Sequence, residues 1–435
     1  MNIRRFFLSR TTVIILIGLL LAAVLVASLV PQTFLASPDE MMAWHRKYPS
    51  LVPLAGVFGL HHVFTTPWFA VILLLALISL TWSTVDQCRS AWRKTFAPAL
   101  PAEEGEVVSL GRDELASRLR RNGYLPVESG KTLRFVRHPW GYWGNAFLHG
   151  GMVAVIAASL LIALTQQRGS LAMFEGEVHY PDDPWTVEES GLMVGRLVLP
   201  EPVRLERVRP AFRPNHKVKQ IASDLSFLPD GEPEHHVTVE VNAMASRRGI
   251  VVYQSTDVGD SFSVEFTDPS GRTEIFRLPI NHPESLEEAG YNDFRFPWNP
   301  LKLQAKYYVD AERKKIDSAH PLLILRMMDG DQETGRVSLT PGGTGALGEY
   351  RVRLAGVQRW TTIIFVKLTG MSGVFLGFFL IILGAALAFC TPPRELVATP
   401  AGDGWLITWR AGRFGDFYRD ESETLFRDLQ RKGTP

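Results

Sequence analysis

The sequence predicts a membrane protein with four transmembrane helices and a large exported, antiparallel β-rich domain between the third and fourth. Three observations carry this. Four stretches are almost free of charge over lengths that match a bilayer core. The basic residues gather in alternate loops. Residues 166–368 alternate apolar and polar positions in short runs separated by turn signals. Lys plus Arg number 46 and Asp plus Glu 45 in 435 residues, and this balance gives no electrostatic footprint for nucleic acid. With 46% hydrophobic and 21% charged residues, a disordered chain is excluded. The two cysteines, Cys88 and Cys390, exclude a disulfide framework, a CxxC redox motif and a cysteine-based zinc site.

The first span is Val13–Val30, preceded by Arg4, Arg5 and Arg10. A cleaved signal peptide is the competing reading. The apolar core is longer than a usual signal region and Leu29-Val30 blurs a small-residue cleavage site, so a retained span is expected. The second span covers 68–85, with Trp68 and Trp82 as interfacial anchors. The third covers 141–165 and the fourth 369–390. The loop 31–67 has only Arg46 and Lys47. The loop 86–140 carries ten basic residues from Arg89 to Arg137, and the tail 391–435 carries seven from Arg394 to Lys432. Positive loops stay in the cytoplasm, so both termini and 86–140 are expected inside, and 31–67 and 166–368 outside.

Between spans two and three, Asp113 is expected to cap a short helix ended by Gly123. YLPV and TLRFV then flank the turn ESGK as a hairpin, giving a small collar module. In the outer segment, HVTVEVNA, GIVVYQST, SFSVEFTD, TEIFRLPI and YRVRLAGV read as strands. LPDGEP, TDPSGR and MDGDQ read as turns, which suggests an antiparallel sandwich or open barrel. This segment contains no cysteine, so no thiol chemistry is available there.

No HExxH, GxSxG or P-loop motif occurs. Polar groups inside apolar spans are then the informative positions, because lipid offers them no partner. His149 is such a group. Tyr142, Asn145, His149 and Met152 recur at spacings that share one helix face, and Gly141, Gly144, Gly150 and Gly151 crowd the same segment. A neutral imidazole is a common axial ligand of haem iron, and glycines let a flat ligand approach. A hydrogen bond to a neighbouring span is the alternative, and the residues alone leave both open; Met152 is read as packing. Gly373, Gly377 and Gly384 form a helix-contact stripe on span four, within this chain or toward another subunit. His45, His61 and His62 lie among Trp44, Phe58 and Phe64 in the first outer loop. They face haem or a partner, or, as expected here, belong to a segment lying on the bilayer. The adjacent His235 and His236 point to opposite faces of a strand and receive no role.

The order of these features resembles the ResB-like family of system II cytochrome c biogenesis over nearly the whole chain. The resemblance is carried by Val30-Pro31-Gln32, by GVFGLHHVFTTPWF, by the basic loop with its NGY, and by FLHGG in span three. FEGE at 174–177, VEVNAMASRRGIVVYQSTDVGDSF and the tail GDFYRDESETLFRDL continue it. Ala243-Met244-Ala245 stands where members often carry a proline, so a divergent member is identified. The resemblance implies a non-enzymatic subunit of a haem-delivery and cytochrome c synthase complex in a bacterial inner membrane. Its partners would be a ResC-type membrane protein with a tryptophan-rich motif, apocytochrome c, and a thioredoxin-like reductase. The family's span-three histidine matches His149, which with Tyr142 and Asn145 beside it would hold haem b transiently. A cofactor-free scaffold whose outer domain binds a protein is the alternative function.

Overall fold

Charge-free runs of this length form helices because lipid leaves the backbone no other hydrogen-bond partner. The computed structural model has four helices long and apolar enough to cross a membrane: Arg10–Leu29, Pro67–Phe96, Pro139–Thr165 and Met371–Phe389. The described residues are 3–431 without 97, 99, 100, 102, 103, 130, 297, 299, 300 and 331. Gly130 of the ESGK turn, Asp331 of the MDGDQ turn and Lys432 of the tail therefore lie outside them. The chain divides into two units. One holds the spans and the tail; the other holds 165–368 with the short segment 33–37.

Span one starts on Ser9, whose Oγ accepts the Thr12 amide at 3.1 Å, a serine N-cap. Beyond it the loop 31–67 is largely helical, at Pro38–Lys47, Val52–Phe58 and Leu60–Thr65. Span two runs past its expected end at 85 to Phe96, because STVDQCRSAWRK contains no glycine or proline to stop a helix. Span three is α-helical only from Gly144; residues Pro139–Trp143 form a 3-10 turn.

The collar module is not self-contained. Two of the three inner strands of its five-stranded sheet come from the tail. The order is Glu106–Val108, Gly404–Ala411, Arg394–Ala401, Leu133–Arg137, Leu125–Ser129. A shared sheet requires that 86–140 and the tail lie on one side of the membrane. Helices Arg112–Arg121 and Arg419–Gln430 supply Leu115, Leu119 and Leu425 to the core under this sheet. The N-cap of the first helix is Gly111; Asp113 lies inside the first turn, where its charge complements the helix dipole. Gly123, at φ +82°, ends this helix in the left-handed region. Burial pushes the Tyr124 hydroxyl up to about 12, so it stays protonated, accepting from Trp409 at 2.7 Å and donating to Glu421 at 3.3 Å. Glu421 also accepts from Arg137 and Arg394, both at 3.0 Å, which ties the tail helix to both halves of the sheet.

Glu395 sits deeper in the same module. It accepts from Arg134 at 2.6 Å and from Arg410 at 2.9 Å, while Arg134 also donates to the Lys94 carbonyl. Arg134 and Glu395 are 4% and 7% exposed, so removing the carboxylate strands a buried guanidinium. Glu395→Ala is expected to weaken the docking of the tail by about 3–5 kcal/mol. Protease cleavage of the tail in detergent, followed against urea, checks this; a wild-type midpoint would show that the ion pair contributes little.

The β unit is built on two 18-residue strands, Ile250–Thr267 and Tyr350–Lys367. They pair antiparallel from Val251 opposite Val366 to Thr267 opposite Arg351, with a bulge between Gln254 and Val258. The bulge inserts residues into one strand and turns its inward face. Two separate cores result. One gathers Val252, Ile363 and Phe365 with Leu205, Ile221 and Val239. The other gathers Phe262, Phe266 and Leu354 with Tyr307, Leu325 and Leu339. In place of one sandwich or barrel, a seven-stranded sheet is flanked by two four-stranded ones.

Candidate functional site

Spans three and four meet through glycine. A Cβ on Gly151 would lie 2.6 Å from the Gly377 carbonyl, and one on Gly377 would lie 2.8 Å from the Gly151 carbonyl. A Cβ on Gly144 would fall 2.5 Å from the Ala388 nitrogen, and one on Gly384 would collide with the Leu148 nitrogen. Gly373 faces the Ala158 methyl at 3.1 Å. The stripe at Gly373, Gly377 and Gly384 therefore meets a matching stripe in this same chain, backbone against backbone. Gly150 looks into open space, and Gly141 packs on the Thr391 carbonyl and Pro393.

This contact turns the next face of span three, with His149 and Met152, toward spans one and two. There a cavity of about 440 Å³ is lined by Leu16, Ile17 and Leu20 of span one and by Ala76, Ser79 and Ser83 of span two. His149, Met152, Ile156 and Ile381 line it as well. The His149 Nδ1 is 2.9 Å from the Asn145 carbonyl. A carbonyl only accepts, so Nδ1 is the donor; in a neutral ring this leaves the lone pair on Nε2, the arrangement a metal-ligating imidazole needs.

The other predicted residues are distributed differently. The Asn145 side chain accepts from Arg413 at 2.9 Å, and Arg413 in turn lies over the Phe389 ring at 4.9 Å. Asn145 thus orients His149 through its backbone and anchors the tail through its side chain. Tyr142 does not share the His149 face. The 3-10 turn breaks the α period assumed for it, and its hydroxyl bonds with Arg134 near Glu395. In the outer loop, the His61 Nδ1 donates to the Pro31 carbonyl at 2.9 Å while its ring meets Trp44 edge-on at 5.0 Å. His62 packs under Gly59, whose φ of +63° joins two helices. His236 Nδ1 is 2.7 Å from the Ser226 hydroxyl. Sequence reasoning missed a basic cavity formed by Arg4, Asp86, Arg89, Trp92 and Arg93, because those arginines were read only for orientation. The signal available was their spacing on one face of an unbroken helix.

The ResB-like family model matches residues 9–404. The chain belongs to the ResB-like family. The cytochrome c biogenesis protein CcsB of Synechococcus sp. (strain JA-3-3Ab) is 28% identical over 290 residues, 61% of this chain and 56% of its own. CcsB of Synechococcus sp. (strain JA-2-3B'a(2-13)) is 29% identical over 293 residues, 61% of this chain and 58% of its own. The match thus spans a little over half the length of these two relatives. CcsB of Microcystis aeruginosa is 22% identical over 421 residues, 91% of this chain and 89% of its own. The solved structure of the cytochrome c haem lyase CcmF overlaps 78% of this chain and 43% of its own at a TM-score of 0.22 and 14% identity, which establishes no common fold.

The ResB-like motifs fall on structural junctions. Gln32 donates to the carbonyls of Val30 and Leu60 at 2.8 and 3.0 Å and accepts the Val63 amide at 3.2 Å, pinning the end of span one to the next helix. In FEGE, Glu175 accepts the Val208 amide at 2.7 Å, and Gly176, at φ +82°, donates to Leu205 at 2.7 Å. Asn242, at φ +73°, makes the turn after VEV. Gln254 fills the long-strand bulge, bonded to Ser223 at 2.6 Å and Thr361 at 2.7 Å. These motifs build the fold, and the span-three histidine lines the cavity between the spans.

Proposed function

We propose that this ResB-like chain is the haem-handling subunit of a system II cytochrome c assembly complex in a bacterial inner membrane. Haem b is its transient cargo, carried toward attachment to apocytochrome c. One observation carries the reading: His149 lines an apolar cavity between the spans, with its Nδ1 engaged by the Asn145 carbonyl. That donor and those walls suit an iron porphyrin, since they offer one nitrogen ligand and exclude competing water. The names of the CcsB relatives, cytochrome c biogenesis proteins, support the same assignment. In this reading the chain makes no bond itself. Thioether formation belongs to the complex with a tryptophan-rich ResC-type partner, which also supplies the second axial ligand. Thiol reduction of the apocytochrome falls to a thioredoxin-like protein.

Purified in mild detergent with the partner, the complex is expected to show a Soret band; a colourless complex would favour the cofactor-free scaffold. The orientation has its own test. With both termini and the basic collar in the cytoplasm and the β unit exported, alkaline phosphatase fused near residue 260 should be active and near 110 inactive. The reverse pattern would overturn the orientation.

A further inference from the structure

Ala76, Ser79, Ser83, Asp86, Arg89 and Arg93 recur at three- and four-residue spacings on span two, so they form one stripe along its helix. The first three line the His149 cavity. The last three, with Arg4 and Trp92, line a second cavity of about 750 Å³. Ser83 and Asp86 are less than one helical turn apart, a rise of about 4.5 Å. The segment before span one follows the same course: Leu8 borders the apolar cavity and Arg4 the basic one. Span two therefore carries one continuous face, apolar beside the histidine and basic beyond it.

The charges there are arranged, not merely collected. Arg4 pairs with Asp86, and the Arg89 guanidinium is 4.0 Å from the same carboxylate. Three guanidinium groups against one carboxylate leave two net positive charges in this cavity. The Arg89 side chain is 63% exposed. Arg93 has no carboxylate within ion-pair distance among the described residues. Orientation by positive charge alone would ask only for arginines near the headgroups. It does not call for a carboxylate that fixes Arg4 in a cavity on the same helix face as the one His149 lines.

We propose that Arg89 and Arg93, with Arg4 held by Asp86, bind the two propionates of the haem whose iron His149 ligates. The inference rests on the proposed haem-handling role. Haem is a flat apolar macrocycle with two carboxylates on one edge. A helix face that lines an apolar cavity beside His149 and bears guanidinium forks one turn further on matches it in polarity and charge. An anionic lipid phosphate has the same chemistry at its head, so the test separates the two.

The full chain with its ResC-type partner is placed in phosphatidylcholine nanodiscs and titrated with hemin and with hemin dimethyl ester, which lacks the carboxylates. Wild type is expected to prefer free hemin by roughly tenfold, the scale of a charge-assisted pair. The double variant Arg89→Gln/Arg93→Gln is expected to lose that preference while keeping the wild-type Soret maximum, because the axial ligand is untouched. Arg89→Lys/Arg93→Lys is expected to restore part of it. Equal binding of acid and ester by wild type, or an unchanged preference in the double variant, would overturn the propionate assignment and leave the haem reading standing. In parallel nanodiscs that contain phosphatidylglycerol, a double variant that loses only phosphatidylglycerol retention, with its preference for free hemin intact, overturns the propionate assignment in favour of the lipid. His149→Gln in the same titration reports on the underlying reading: a wild-type spectrum there would remove the haem site itself.

Discussion

His149→Gln is expected to leave the chain inserted and folded, and to lower haem occupancy and cytochrome c maturation by well over about tenfold, since even orienting partners of metal ligands contribute on that scale. Glutamine is the informative replacement because it can still bond the Asn145 carbonyl, as His149 Nδ1 does, yet is a poor iron ligand. If the imidazole served only as a helix hydrogen bond, glutamine would suffice. Asn145→Ala is the matching control. It keeps the backbone carbonyl that sets the histidine tautomer and removes only the amide that holds Arg413, so the Soret maximum should stay in position. Added imidazole is expected to restore part of the haem bound by His149→Ala. Wild-type spectrum and full cytochrome c production in His149→Gln would defeat the ligand assignment.

The spans were legible because bilayer thickness converts directly into a run of apolar residues, and the glycine stripe because backbone approach admits nothing larger. His149 was legible as a polar residue with no ready partner in lipid. Its neighbours were less so. Tyr142 has helical spacing from Asn145, but spacing does not reveal that Pro139–Trp143 winds as a 3-10 turn. The sheet shared by the collar and the tail was hidden for another reason. Arg394–Ala401 pairs with Leu133–Arg137 across more than half the chain, and strand pairing that distant leaves no local trace. The Arg4–Asp86 pair was invisible on the same ground, its partners standing 82 positions apart. In the β unit the alternation marked the strands, yet no local pattern shows that a bulge at Gln254 divides one long strand between two cores.

Gly384→Leu is expected to cause the largest structural loss in the membrane unit. The Cβ alone would collide with the Leu148 nitrogen and stand 2.7 Å from the Gly144 carbonyl. These are backbone atoms of the facing helix, so no side-chain rotation relieves the overlap; spans three and four must separate. Overpacking by one methyl in a tight core costs about 1–3 kcal/mol, and leucine adds a branched side chain to that. Separation would carry further than the interface, since span three holds His149 and Asn145, and Asn145 holds the tail through Arg413. Gly384→Ala should therefore give an intermediate loss. Ile382→Ala, two residues away at a side chain 69% exposed, should give almost none. The readouts are the monodisperse fraction after heating in detergent and the haem retained with the partner. If Gly384→Leu and Ile382→Ala survive equally, close backbone approach is not what holds these two spans together, and the face presented by His149 must be set by another contact.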